Sequence, residues 1–147
     1  MTNEPLQILL ADDDENDRIL FQDALNEIKI NTKLQTVNDG QLLMDHLADH
    51  PNNLPTLLFL DLNMPRKNGL ECLIELRRIY SKEITIAIFS SSSNDKDIEE
   101  TFKHGANIYM TKPNNFNALK ESLNRVVVAA FTYQNTFFNK ANFLLKV

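Results

Sequence analysis

Leu6-Gln7-Ile8-Leu9-Leu10-Ala11-Asp12-Asp13-Asp14 is the stretch on which the fold turns: a short, mainly apolar run that ends abruptly in three carboxylates. A run of that length reads as a strand. Comparable runs recur at Leu34–Val37, Leu57–Leu60, Ile84–Phe89 and Asn107–Met110, each bounded by polar, Gly or Pro residues. Between them lie stretches with helical spacing: Leu20, Ala24 and Ile28; Leu43 and Leu47; Leu70, Leu73, Leu76 and Tyr80; Ile98 and Phe102; Leu119, Leu123 and Val127. Asn94 followed by Asp97, and Asn114 after Pro113, read as helix starts, and His104-Gly105 as a stop. Strands alternating with helices imply parallel crossovers, and near-continuous apolar strands imply cover on both faces. The expectation is an α/β fold, doubly wound, with a five-stranded parallel sheet between two layers of helices. Ligands of such sheets bind beyond the carboxyl ends of the strands, so the residues after each run are the candidates for chemistry.

Composition narrows the classes. The 147 residues suit one domain, with 43% hydrophobic and 24% charged side chains, and are too few for a separate second domain. A formal charge of -5 argues against a general nucleic-acid surface. No apolar run approaches the roughly 18 residues of a membrane span, and the N-terminus lacks a secretory pattern. A cytoplasmic protein with no membrane contact is expected. The one cysteine, Cys72, sits among Leu70, Leu73 and Leu76 on a helical face, where a small buried hydrophobe is the default. His46, His50 and His104 share no metal-ligand spacing and receive no role.

The strand ends carry a coherent set of groups. Asp12-Asp13-Asp14 follows the first strand, Asp61-Leu62-Asn63-Met64-Pro65 the third, Ser90 closes the fourth, and Lys112-Pro113 follows the fifth. Two carboxylates about 4 Å apart repel by roughly 4 kcal/mol at an effective dielectric near 20, so the acidic cluster needs a cation or raised pKa values. An oxygen-only donor set with no His or Cys nearby suits Mg²⁺. Lys112 can meet a phosphoryl oxygen, Ser90 offers a hydroxyl, and Asp61 is the candidate nucleophile, giving an aspartyl phosphate. Singly, each of these residues is as readily a turn, a cap or a surface charge; four strand ends supplying the set together outweigh that reading.

These residues resemble the receiver domains of two-component signalling from about Gln7 to Val128, with a narrower similarity of Asp61-Leu62-Asn63-Met64-Pro65 and Gly69 to phytochrome-associated single-domain receivers. The resemblance implies a flavodoxin-like sheet of strand order 2-1-3-4-5. It further implies Asp61 as phospho-acceptor, and Mg²⁺ held by Asp13, Asp61 and the Asn63 backbone carbonyl, with Asp12 acting through bound water. Lys112 and Ser90 assist the chemistry, and Ser90 and Tyr109 form the switch. Asp14 is then an N-cap, and Ser92 occupies a position where the family tunes dephosphorylation. On phosphorylation Ser90 would bond a phosphoryl oxygen and Tyr109 would rotate inward. The phosphoryl group would come from a sensor histidine kinase or a phosphotransfer protein, and the signal would pass to a separate protein target by altered contacts. Such a chain is a switch more than an enzyme, beyond catalysing its own phosphorylation and slow dephosphorylation.

Other functions fit less well. An aspartate-nucleophile phosphatase needs a second acid two residues after the nucleophile, where Asn63 stands. A flavin mononucleotide module would not place Asp12-Asp13-Asp14 against a phosphate. An inactive receiver scaffold would lack the acidic pair, the acceptor or the lysine, and all are present. Domain organisation is read as a receiver over residues 1–130 and an aromatic extension over 131–147. Phe131, Phe138 and Leu145 are seven apart, which permits the last helix to continue with an apolar seam that makes a homodimer; the alternative is a tail folded back on its own domain.

Overall fold

The computed structural model describes residues 4–132 and 143–145. In chain order the elements are β1 (Leu6–Ala11), α1 (Glu15–Asn26), β2 (Thr32–Val37), α2 (Gly40–Asp49), β3 (Leu57–Leu60), α3 (Gly69–Tyr80), β4 (Thr85–Ser90), α4 (Asp95–Lys103), β5 (Ile108–Thr111), α5 (Phe116–Thr132) and β6 (Leu144–Leu145). The sheet runs β2-β1-β3-β4-β5-β6, and every pairing is parallel. The expected order of five strands is therefore found, with a sixth added at the β5 edge. Between β1 and β3 the winding reverses direction, which opens a crevice at their carboxyl ends.

The strands are buried on both faces because each face has its own helical cover. Ile8, Leu10, Phe59, Phe89 and Met110 point to α1 and α5, where they meet Phe21, Leu25, Leu123, Val126 and Val127. Leu9, Leu58, Leu60, Ile86, Ile88 and Tyr109 point the other way, toward Leu43 and Leu47 of α2 and Cys72, Leu73 and Leu76 of α3. Phe21 centres the first cluster, edge-on to Phe59 at 4.9 Å and to Phe89 at 5.5 Å. Of the expected helical spacing, Ala24 and Ile28 are buried in the core, but Leu20 is exposed and its neighbour Phe21 takes the inside, with Leu25. At the one disputed position the aromatic ring, with the larger apolar area, displaces the leucine.

Helix starts follow the expected chemistry with one shift. Asp14 caps α1 by accepting the Asp17 N–H, and Asn94 caps α4 by accepting the Asp97 N–H. For α5 the cap is Asn115, which accepts from Ala118 N, and not Asn114. The residue after a proline is a common helix entry, but the cap is set by which side chain reaches the free N–H groups. A reciprocal cap of Asn68 with Glu71 starts α3. Cys72 is buried and its thiol is pushed up to about 12 by that burial, which leaves it inert as a nucleophile.

Beyond α5, residues 133–142 lie outside the described part, and with them Phe138 of the expected seam. Phe131 is exposed, whereas Leu145 is buried in β6 and so does not share a helical seam with it. β6 extends the sheet through the Tyr109 N–H, which donates to the Phe143 carbonyl at 2.7 Å. Phe143 is buried between Phe102 of α4 at 5.0 Å and Tyr109 at 6.2 Å. This is the folded-back arrangement. Among the described residues no helix is long and apolar enough to cross a membrane.

Phe143→Ala should lower stability by roughly 2 kcal/mol in urea unfolding, less than a deep core phenylalanine because a two-residue strand can detach locally. Hydrogen exchange at the Tyr109 amide should accelerate in the same variant, and an unchanged rate would show that β6 does not protect it.

Candidate functional site

Three carboxylates meet at the crevice between β1 and β3. Asp12 and Asp13 leave the end of β1 and Asp61 leaves β3, and one ligand oxygen from each lies within 4.8 Å of the others. The ladder carries on past the strand ends and fixes these positions: Asp61 N donates to the Ala11 carbonyl and Asp12 N to the Val37 carbonyl. Asp12 is fully buried and Asp61 nearly so, while Asp13 is exposed. Asp12 Oδ1 accepts the Asp14 N–H at 2.9 Å, and Asp61 Oδ1 accepts the Asn63 N–H at 3.2 Å.

The loop after Asp61 is held by a close approach. Gly69 N donates to the Leu62 carbonyl, and a Cβ on Gly69 would sit 2.2 Å from the Asp61 carbonyl oxygen and 2.7 Å from Leu62 Cα. The start of α3 therefore presses directly on the backbone of Asp61, and only a glycine leaves room.

Lys112 closes the site from β5. Its backbone N–H donates to the Ser90 carbonyl, and its side chain passes over the Phe89 ring with Nζ 5.2 Å from the ring centre. Nζ donates to Asp61 Oδ2 at 3.2 Å and to Asp17 Oδ2 at 2.8 Å, and stands 2.9 Å from Asp12 Oδ2. Burial alone would lower the Lys112 ammonium, but its close contacts with the Asp17 and Asp12 carboxylates and the charge of Asp61 outweigh it and hold the group above its ordinary value. Asp12 moves the other way from a normal acid. Its burial raises it from 3.8 to about 6, opposed by the Asp14 N–H and by Lys112.

Asp12 Oδ2 is buried without a hydrogen-bond partner. Lys112 approaches it as an ion pair lacking hydrogen-bond alignment, so the oxygen retains unused acceptor capacity. An orphaned carboxylate oxygen beside two more carboxylates, with no nitrogen or sulfur donor in the cluster, fits a hard divalent cation.

Ser90 ends β4 fully buried, its Oγ accepting the Ser92 N–H at 3.1 Å. Tyr109 is fully buried and donates its hydroxyl to the Ser92 carbonyl at 2.8 Å. The ring therefore already occupies the inward position that the switching scheme associates with phosphorylation, with Phe143 packed against it. Ser92 is committed elsewhere, its hydroxyl donating to Asp97 Oδ2 at 2.6 Å.

All the sequence-predicted residues except Tyr109 lie on the carboxyl-terminal rim, and Tyr109 lies two residues before the end of β5, its hydroxyl reaching the β4–α4 loop. The residue that sequence reasoning missed is Asp17. Its signal was present: three positions after the Asp14 cap, on the first turn of the helix that leaves the acidic cluster. What the sequence does not carry is the meeting of that turn with Lys112 across 95 positions.

Residues 8–124 match the sequence profile described as the response regulator receiver domain. The response regulator Rcp1 of Synechocystis sp. is 32% identical over 123 residues, covering 80% of this chain and 84% of that protein. Among solved structures, the phosphorylated cyanobacterial phytochrome response regulator RcpA superposes with a TM-score of 0.81 at 30% identity, covering 88% of this chain and 96% of that one. The Mn²⁺-bound form of Rcp1 superposes at 0.76 with 29% identity, covering 84% and 93%.

The raised Asp12 makes a pH prediction. Its folded value of about 6 exceeds its ordinary 3.8, so the folded state binds the extra proton between those values, and stability falls as pH rises through that window. In metal-free buffer, the stability of the wild type relative to Asp12→Asn should therefore drop by up to roughly 3 kcal/mol from pH 4 to pH 7. Urea unfolding of both proteins across this range checks it, and a flat difference would show that Asp12 carries no such penalty.

Proposed function

Since this chain belongs to the response regulator receiver domain family of two-component signalling, we propose that Asp61 is its phospho-acceptor and that Asp12, Asp13, Lys112 and Ser90 serve that reaction. The observation that carries the assignment is the convergence of three carboxylates within 4.8 Å beside an ammonium 3.2 Å from Asp61 Oδ2. In-line attack needs a carboxylate already placed and a cation where charge builds up on the equatorial oxygens. Lys112 is such a cation, and the Asn63 N–H bond to Oδ1 together with the Gly69 contact orients the Asp61 carboxylate.

The donor of choice is a phosphohistidine on a sensor kinase or a phosphotransfer protein. An Asp61 oxygen forms the O–P bond as the donor's P–N bond breaks, and the imidazole nitrogen keeps the electron pair. Mg²⁺ would be held by Asp13, Asp61 and the Asn63 carbonyl, with Asp12 reaching it through water, and when bound it supplies positive charge to the transferred group and to the crowded carboxylates. The Mn²⁺-bound form of Rcp1 supports a divalent ion as the cofactor of this chain. Ser90 sits at the end of β4 next to the acceptor strand and supplies the hydroxyl that bonds the phosphoryl oxygen. Tyr109 then reads out the change through its bond to the Ser92 carbonyl.

The signal takes the form of a population shift, bounded by the difference in affinity of the phosphoryl group for the two states. We place the output on the face built by α4, β5 and α5, which meets a separate protein target. Residues 1–130 form the receiver in this reading and 131–147 an extension of it. The fold-back of Phe143–Leu145 supports an extension that is part of the output face, and makes a homodimer through a helical seam the less favoured arrangement.

Incubation with phosphoramidate and Mg²⁺ should add one phosphoryl mass to the wild type and none to Asp61→Asn, read by intact mass spectrometry. Excess chelator should suppress the gain. A phosphoryl group on the Asp61→Asn protein would remove the assignment.

A further inference from the structure

Asp17 stands outside the acidic pair and the acceptor, and none of the roles above uses it. Its carboxylate accepts from Lys112 Nζ at 2.8 Å, shorter than the 3.2 Å bond from the same nitrogen to Asp61. The placement is built rather than incidental. Asp14 caps α1 through the Asp17 N–H, and Arg18, the next residue, donates to the Asp12 carbonyl at 2.8 Å, so the first turn of α1 is tied to the site on both sides of Asp17.

An ammonium has three protons. Two are directed at Asp17 and Asp61, and the remaining side of Nζ faces Asp12 Oδ2 at 2.9 Å. A phosphoryl oxygen that approaches this crowded nitrogen competes with the three carboxylates around it. Asp12 is a poor one to give up, because its side chain is wholly buried and losing Lys112 would leave that charge bare. Asp61 is the group being modified. Asp17, about a third exposed, can return to water at small cost. It is the contact that yields.

We propose that Asp17 is a positioning residue that competes with the phosphoryl group for Lys112, restraining phosphorylation by holding the ammonium in the unmodified protein; the inference rests on Asp61 being the acceptor. Its negative charge beside an entering dianion acts in the same direction. Phosphorylation thereby frees the first turn of α1 from the β5–α5 connection, a second structural consequence alongside the movement of Ser90.

The test measures phosphorylation by phosphoramidate at saturating Mg²⁺, together with the affinity for beryllium fluoride, which takes the place of the phosphoryl group without chemistry. Asp17→Asn should raise the second-order rate constant about two- to fivefold, the range of a partly exposed ion pair, and should tighten beryllium fluoride by a similar factor. Asp17→Glu, which keeps the charge, should return both toward wild type. Glu15→Gln removes the same charge from the same turn without touching Lys112, and should change neither. A purely structural role in α1 would lower stability without improving either measurement. If wild type is phosphorylated on Asp61 but Asp17→Asn is unchanged or slower, or if Glu15→Gln accelerates equally, the competition is overturned and the acceptor assignment stands. A wild type that gains no phosphoryl group overturns both.

Discussion

Lys112 is the one group on which the rest of the site depends, because among the described residues it is the only cation in contact with a set of carboxylates that crowd the same crevice. Asp12 and Asp61 stand at the ends of adjacent parallel strands, almost without exposure, and Asp17 approaches from α1. One ammonium touches all three. It follows β5 and its own N–H donates to the Ser90 carbonyl at the end of β4, so the charge balance ties four strands and a helix to a single point. The balance is incomplete. Asp12 remains protonated well above the pH of a normal aspartate, and one of its oxygens has no hydrogen-bond partner, which is the condition a divalent cation relieves.

Around this point the packing leaves little freedom. Gly69 lies against the Asp61 carbonyl, the Phe21, Phe59 and Phe89 rings fill the sheet face beneath, and Lys112 passes over Phe89. A site so constrained transmits displacement better than it absorbs it, since close-packed interiors have few intermediate arrangements. Two chains of contact leave it: through Ser90 and the β4–α4 loop to Tyr109, and through Asp17 to α1. The first ends under Phe143, where the chain's own C-terminal segment covers Tyr109 and adds a strand beside it. A partner that engages this edge meets β6 before it meets β5.

Much of this was legible in the residues alone. Five apolar runs of strand length, separated by helical spacing, predict the layers, and polar groups placed immediately after those runs predict the rim, because backbone periodicity and burial are local properties that any strand or helix must satisfy. The places where reading and structure part are those where two local solutions were equally good. Leu20 and Phe21 both continue the α1 face, and only the space beneath the sheet selects the ring; Asn114 and Asn115 both can cap α5, and only the exit angle of the chain selects the second.

By itself, the sequence determined the alternation of strands and helices, the identity of the acidic cluster, and the presence of a carboxylate, a hydroxyl and a lysine at successive strand ends. Tertiary structure alone decided that Asp17 belongs to the site, that Asp12 is the carboxylate left with an unsatisfied oxygen, and that Phe143 packs on Tyr109 while β6 pairs with β5. The reason is one of range. Periodicity and capping act over a few residues and are written in order along the chain, whereas a contact across 95 positions exists only once the sheet order has brought β1 and β5 to the same end of the molecule.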